Sequence, residues 1–227
     1  MSMVNWKERE KEQRRNDIVD AAEKLFFEMD YGTVSMDEIA RKIGLGKGTL
    51  YLYFKNKESL FYAVALRGMH ILNEIHLKSL NHEGSGIDKL HALIQGYFQF
   101  TQEYPEYFHM LCYAASNPSS LKNNEYAKDF TELALGNIQI TSNILEEGMG
   151  EGTVRGDLNP TEIAIFLSII GNSIMNMDPV WKITLKATGT GKNELWEHYL
   201  RFITPAIETK HGLDLYGAES DDEKMSF

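Results

Sequence analysis

The residues from which metal, nucleophilic or phosphate-loop chemistry would be built are few. They are the histidines at 70, 76, 82, 91, 109, 198 and 211, the single cysteine Cys112, and the run Gly189-Thr190-Gly191-Lys192. No two histidines stand four apart, the spacing that puts a pair of metal ligands on one helical face. One cysteine supplies neither a cysteine-based zinc site nor an internal disulfide. Cys112 lies three residues from His109, but in a strongly aromatic run where a cysteine serves as a small core residue. The glycine run fails as a phosphate loop, because its upstream glycine position is Lys186 and its last position is Asn193; it reads as a turn. No catalytic constellation, metal set or cofactor motif is found, and the chain is read as a non-enzyme. One short segment offers chemistry of another kind. Lys47-Gly48-Thr49 opens a short helix whose free N-terminal amides favour an anion and whose outer face carries no large bulk.

The elements that must position that segment are legible from periodicity. From Asn16, Ile18, Ala21, Ala22, Leu25, Phe26 and Met29 form one apolar helical stripe, closed by Asp30-Tyr31-Gly32 with Gly32 suited to a left-handed conformation. Ser35 and Glu38 form a capping box for a second helix whose inward face is Met36, Ile39, Ala40 and Ile43. Gly44-Leu45-Gly46 is a turn around a buried leucine. The third helix runs from about Lys47 to Phe54. At 100° per residue Leu50 and Phe54 face the core, Gly48, Thr49 and Leu52 face away, and Tyr51 and Tyr53 flank. Asn56 caps a longer fourth helix. Two short helices joined by a glycine turn and braced by a third make a helix-turn-helix, which reads the major groove with the start of its second helix.

Residues Thr33 to Leu60, TVSMDEIARKIGLGKGTLYLYFKNKESL, resemble the DNA-binding signature of the TetR family of regulators, most tellingly from Gly48 to Lys57. Gly46 departs from the pattern, standing where many relatives have Ser or another cap, and Leu52 is apolar where some place a polar or aromatic group. The resemblance implies phosphate contacts from Lys47, Tyr51, Tyr53 and Lys57, from the hydroxyls of Thr33 and Ser35, and from the Gly48 amide. It implies that Thr49 and Leu52 face bases, Leu52 either toward a thymine methyl or, being apolar, with no base contact, with Lys47 as a further candidate. Phosphate contacts position such a helix and base contacts carry the sequence information. Tyr51 and Tyr53 have a packing role as their alternative, Ser35 a purely capping one, and the lysines a solvated one.

The rest of the chain reads as more helix. Expected helices run from Ile87 to Glu103, onward from Pro105, through Tyr126, Phe130, Leu133, Ile138 and Leu145, from an Asn159-Pro160 cap to about Met177, and from Asn193 to Ile203, where Pro205 ends or kinks the last. Asn117-Pro118-Ser119-Ser120 reads as a break, and Gly148-Met149-Gly150-Glu151-Gly152 as a flexible connection. Bulky groups with polar tips mixed with methionines suit an apolar cavity holding a few polar groups. The candidate ligand residues are Tyr97, Phe100, Tyr104, Phe108, Tyr113, Phe166, Met175 and Trp181. The resemblance further implies a homodimer formed through helices near 161–177 and 193–204, as a four-helix bundle about a two-fold axis.

Composition bounds the class. Net charge is −10, yet residues 1–57 carry 11 Lys/Arg against 10 Asp/Glu while the remaining 170 carry 12 against 23. Exposed charges are screened beyond about 10 Å at 0.1 M salt, so an acidic second half does not forbid a DNA-binding first half. The longest apolar runs fall well short of the roughly 20 residues of a membrane span, and the N-terminus lacks the apolar core of a secretory signal. Together with the lone cysteine this predicts a cytoplasmic protein with no membrane partner. The expected architecture is all-α. A DNA-binding domain occupies 1–56, opened by a charged segment at 1–15 that reads as an arm or a frayed helix start, and either as a solvated lead-in or as a DNA-reaching arm. A larger ligand-binding and dimerisation domain spans 57–216, and an acidic, disordered tail 217–227. The functional expectation is a regulator that binds a palindromic double-stranded operator as a homodimer, with release by a small apolar or amphipathic effector. The alternative is a DNA-binding or interaction factor of the same fold with no small-molecule inducer.

Overall fold

The structure, a computed structural model, describes residues 3–116 and 124–209. Those residues form ten α-helices: α1 Met3–Glu28, α2 Met36–Lys42, α3 Lys47–Tyr53, α4 Lys57–Leu80, α5 Gly86–Glu103, α6 Pro105–Ser116, α7 Glu125–Glu151, α8 Pro160–Met175, α9 Pro179–Thr188 and α10 Lys192–Ile207. No strand is found among them; one isolated bridge, Val154 to Glu208, ties the end of α7 to the end of α10. The all-α expectation holds.

Local chemistry sets most boundaries. The Ser35 hydroxyl accepts from the Glu38 amide at 3.3 Å while the Glu38 carboxylate accepts from the Ser35 amide at 2.8 Å, the expected capping box. Ser85 and Asp88 repeat the device at the start of α5. Asn56 caps α4, Asn159 caps α8 ahead of its N1 proline, and Pro105 opens α6.

Four expectations on the elements are corrected. First, α1 begins at Met3, so of the two readings of the charged segment the structure takes the helix start and not the arm: it is a helical extension of about four turns ahead of the first core residue, Ile18. Second, Gly32 does not take the left-handed conformation; Asp30 closes that turn by accepting the Thr33 amide at 2.9 Å, and the left-handed glycine of this unit is Gly44 (φ 66°). Third, α7 runs straight through the expected connection to Glu151 and stops at left-handed Gly152. Gly148 and Gly150 thus lie inside a helix, and a Cβ on Gly148 would strike the Val154 side chain. Fourth, α8 ends at Met175, the additional helix α9 follows, and α10 carries Pro205 within it and continues to Ile207. The expected break at 117–120 and the expected tail at 217–227 lie outside the described residues.

One core runs through both halves, from Ile18, Ala22 and Leu50 through Val64 and Phe100 to Ile144, Leu145 and Ile207. α4 is its axis, packing on α1, α5, α6 and α7. The expected domain boundary falls at the cap of this helix, which belongs to both halves.

Candidate DNA interface and ligand cavity

α3 is held from within by Leu50 and Phe54, both almost wholly buried. Gly48 and Thr49 are exposed, and Leu52 is 80% exposed. A leucine so placed on a seven-residue helix has no packing role among the described residues. Tyr51 is exposed and Tyr53 half-buried. Gly46 caps the helix without a side-chain bond. The turn is instead braced by Lys47, which pairs with Asp37 of α2 at 2.8 Å; that partner holds the ammonium above its usual range. The structure therefore brings Lys47, Gly48, Thr49, Tyr51 and Leu52 to one surface.

The other implied contacts are already engaged. The Lys57 ammonium donates to the Tyr31 and Val34 carbonyls at 2.6 and 2.8 Å and sits 4.2 Å from the centre of the Tyr31 ring. The Thr33 hydroxyl donates to the Asp30 carbonyl at 2.8 Å, and the Ser35 hydroxyl to the Glu38 carboxylate at 2.8 Å. These three groups tie the loop between α1 and α2 to the elements around it. For Thr33 and Lys57 sequence pattern could not show this, because the partners are backbone carbonyls, whereas the Ser35–Glu38 pair is the capping box read from the sequence.

The N-terminal extension adds an ordered charge pattern. Lys7, Lys11, Arg14 and Arg15 recur at i, i+4, i+7 and i+8, continuing the stripe that becomes buried at Ile18 and Ala22. Arg15 stacks over Phe54 and Tyr126, 5.3 and 5.0 Å from their ring centres.

Behind this unit the body encloses a cavity of about 440 Å³, bounded by α4, α5, α6, α7, α8 and α10. It lies within the roughly 300–1,000 Å³ span of small-molecule sites. Its exposed rim includes Ala115 and Ser116 at the end of α6 and Asn172, Ser173 and Asn176 at the end of α8. Of the eight residues expected there, Tyr97 and Phe108 line it. The other six lie elsewhere. Phe100 is core and, with Tyr104, borders a separate groove between α4 and α5. Tyr113 packs on Tyr31 and Phe61 toward the DNA-binding unit. Met175 is buried against the Thr101 hydroxyl. Phe166 and Trp181 are 48% and 60% exposed on α8 and α9. Sequence reasoning missed His76, Asn137, Trp196 and Tyr199 in the wall. His76 shares the helical face of Met69 and Leu72, a spacing that was open to detection.

Two helices touch both sites. α4 gives Met69, Leu72 and His76 to the cavity, while its Arg67 bonds Asp20 and Glu23 of α1 at 2.6 and 2.8 Å. α6 gives Phe108, Leu111 and Cys112 to the cavity, while its Tyr107 donates to Glu23 at 2.6 Å and meets Phe27 edge-on.

No group of His, Cys, Asp or Glu suited to a metal ion occurs among the described residues, and no single helix there is long and apolar enough to cross a membrane.

Residues 18–64 match the family described as bacterial regulatory proteins, tetR family. The fatty acid metabolism regulator protein of Bacillus subtilis is 27% identical over 142 residues, 63% of this chain and 71% of that protein. The negative transcriptional regulator of the biofilm operon icaADBC in Staphylococcus aureus, IcaR, is 29% identical over 115 residues, covering half of this chain and 60% of its own length. The solved structure of the fatty acid degradation regulator FadR from Bacillus halodurans superposes with a TM-score of 0.60 at 20% identity, covering 82% of this chain and 93% of that one.

Proposed function

We propose, proceeding from a chain that belongs to the TetR family of transcriptional regulators, that it binds a palindromic operator as a homodimer and lets go when an apolar or amphipathic molecule fills the cavity. The observation that carries this reading is the exposed face of α3. Lys47, Gly48, Thr49, Tyr51 and Leu52 stand outward on a helix whose inward side is locked by Leu50 and Phe54. Nothing within the described chain uses that face beyond the pairing of Lys47 with Asp37. Phosphate contacts from Lys47, Tyr51 and the Gly48 amide would position the helix, and Thr49 and Leu52 would meet base edges. The basic stripe of α1 would add phosphate contacts beside them.

The cavity favours a ligand-controlled regulator over a solid factor of the same fold, and relatives named for fatty-acid metabolism support an effector with an apolar chain. Control would run through α4 and α6, which border the cavity and brace α1 alike. An effector shifts the equilibrium only by its differential affinity for the DNA-competent and DNA-incompetent spacings of the two recognition helices.

The test is fluorescence anisotropy of the full-length protein on DNA flanking its own gene, at two salt concentrations. The expected result is sub-micromolar, sequence-dependent binding that weakens with salt and with Tyr51→Ala. Binding neither to that DNA nor to a random fragment library would overturn the DNA-reading claim.

A further inference from the structure

Among the described residues the cavity wall holds no lysine, arginine, aspartate or glutamate. Its titratable groups are His76 of α4, Tyr97 of α5, Cys112 of α6 and Tyr199 of α10, while α7 and α8 contribute amides and hydroxyls among apolar groups. Burial drives every one of the four toward its uncharged form. The Cys112 thiol is pushed up to about 11 and the Tyr199 phenol to about 12, the Tyr97 phenol is raised further, and the His76 imidazole is lowered.

Most polar atoms of the wall are satisfied by the chain itself. The Tyr97 hydroxyl donates to Asn172 Oδ1 at 2.9 Å, Ser168 donates to the Ala164 carbonyl, and Thr141 donates to the Asn137 carbonyl. The Asn137 side-chain oxygen accepts from Asn73 at 2.7 Å. His76 differs. Its Nδ1 lies 2.9 Å from the Leu72 carbonyl, which can only accept, so Nδ1 carries the proton. In the neutral ring Nε2 is then a bare acceptor, with no hydrogen-bond partner among the described residues, on a side chain only 8% exposed.

We propose that this cavity encloses an uncharged, mainly apolar group that presents a hydroxyl or N–H donor to Nε2 of His76. The inference rests on reading the cavity as the effector site and narrows its ligand class. A carboxylate drawn in against His76 meets no cation among the described residues and sits there only as its neutral acid, losing about tenfold in affinity for each pH unit above its own pKa. A quaternary ammonium finds aromatic faces at Tyr97, Phe108 and Trp196 but no counter-charge in a desolvated wall.

Calorimetric titration of the full-length protein with n-decanol, decanoate and decyltrimethylammonium, at pH 7 and pH 8, separates the cases. The alcohol is expected to bind with the same affinity at both values. Decanoate is expected to bind about a hundredfold more weakly at pH 7 and another tenfold more weakly at pH 8. His76→Phe keeps the apolar volume, and it should weaken the alcohol by about three- to tenfold. The ligand comparison on the unaltered protein needs no variant to fold. Decanoate or the ammonium binding as well as the alcohol at both pH values would overturn the inference and leave the cavity as an effector site. Heat from none of the three, with no change in thermal unfolding, would overturn the effector reading as well.

Discussion

Lys57 shows how one residue can be assigned two roles by pattern and one by contact. Its ammonium satisfies two carbonyls of the loop between α1 and α2 and covers the Tyr31 ring. Removing it strands both carbonyls, so Lys57→Met should lower stability by about 2 kcal/mol in chemical denaturation. A residue that served only to hold phosphate would instead leave stability unchanged and reduce the salt dependence of DNA binding by about one counterion. Ser35 gives a second prediction. Ser35→Ala removes the cap of α2 and should cost about 1 kcal/mol in the same measurement near neutral pH. The Glu38 carboxylate is held below its usual range by bonds from the Ser35 hydroxyl and amide. A depressed carboxylate stabilises the native state above its unfolded pKa, and the contribution is lost as pH falls through the lower native value. The difference between wild type and Ser35→Ala should therefore shrink in acid, below the ordinary carboxylate range. Equal differences at neutral and acid pH would mean that the reciprocal bond contributes nothing.

At the scale of elements, what the sequence disclosed was whatever is decided locally. The caps at Ser35, Asn56 and Asn159 and the core face of α3 follow from a few neighbouring residues, and they stand as expected. What it concealed depends on distant partners. Gly148 reads as a flexible break, yet a Cβ on Gly86 of α5 would strike the Gly148 backbone, so the pair marks two helices in close approach. Aromatic residues of α6 read as one pocket, yet Phe108 faces the cavity while Tyr107 and Tyr113 face the DNA-binding unit, a division that only packing decides. Gly68 of α4 makes room for Tyr107, because a Cβ there would lie 2.8 Å from its ring. Gly68→Ala should thus push Tyr107 off Glu23 and lower stability by about 1–3 kcal/mol by thermal unfolding. On α1, Lys7 and Lys11 make no ion pair among the described residues and extend the buried stripe as charge. The double change Lys7→Gln, Lys11→Gln should reduce the slope of log affinity against log salt by about 2 while leaving stability within about 0.5 kcal/mol. An unchanged slope would make the extension a solvated lead-in.

At the scale of the whole molecule the question is what covers the far end. Ile165, Phe166 and Ile169 on α8, Val180, Trp181 and Ile183 on α9, and Phe202 on α10 are all exposed, the last at 77%. Scattered apolar residues are ordinary on a surface, but seven large ones carried by three successive helices are what the face of the proposed dimer would present. α8 and α10 are also the elements expected to pair with a second copy, and a two-fold interface buries the same residues on both partners. A palindromic operator requires such a pair, with recognition helices about 34–36 Å apart or a multiple of that. On the proposed dimer the pairing energy and the DNA affinity are linked: a monomer would hold half of the contacts and have to meet its twin on the DNA. Placing a charge on this face, as Ile169→Glu, would put a carboxylate into the desolvated setting of the proposed interface. The expected result in analytical ultracentrifugation is a monomer with the helical content of the wild type. Anisotropy should then show operator binding weakened by at least about a hundredfold, with affinity now dependent on protein concentration. Phe202→Glu tests the same face from α10 and should act in the same direction. Leu135, also exposed but on α7, serves as the control, because Leu135→Glu should leave both the dimer and the DNA affinity intact. A dimer that survives both α8 and α10 changes would place the two-fold axis on another face.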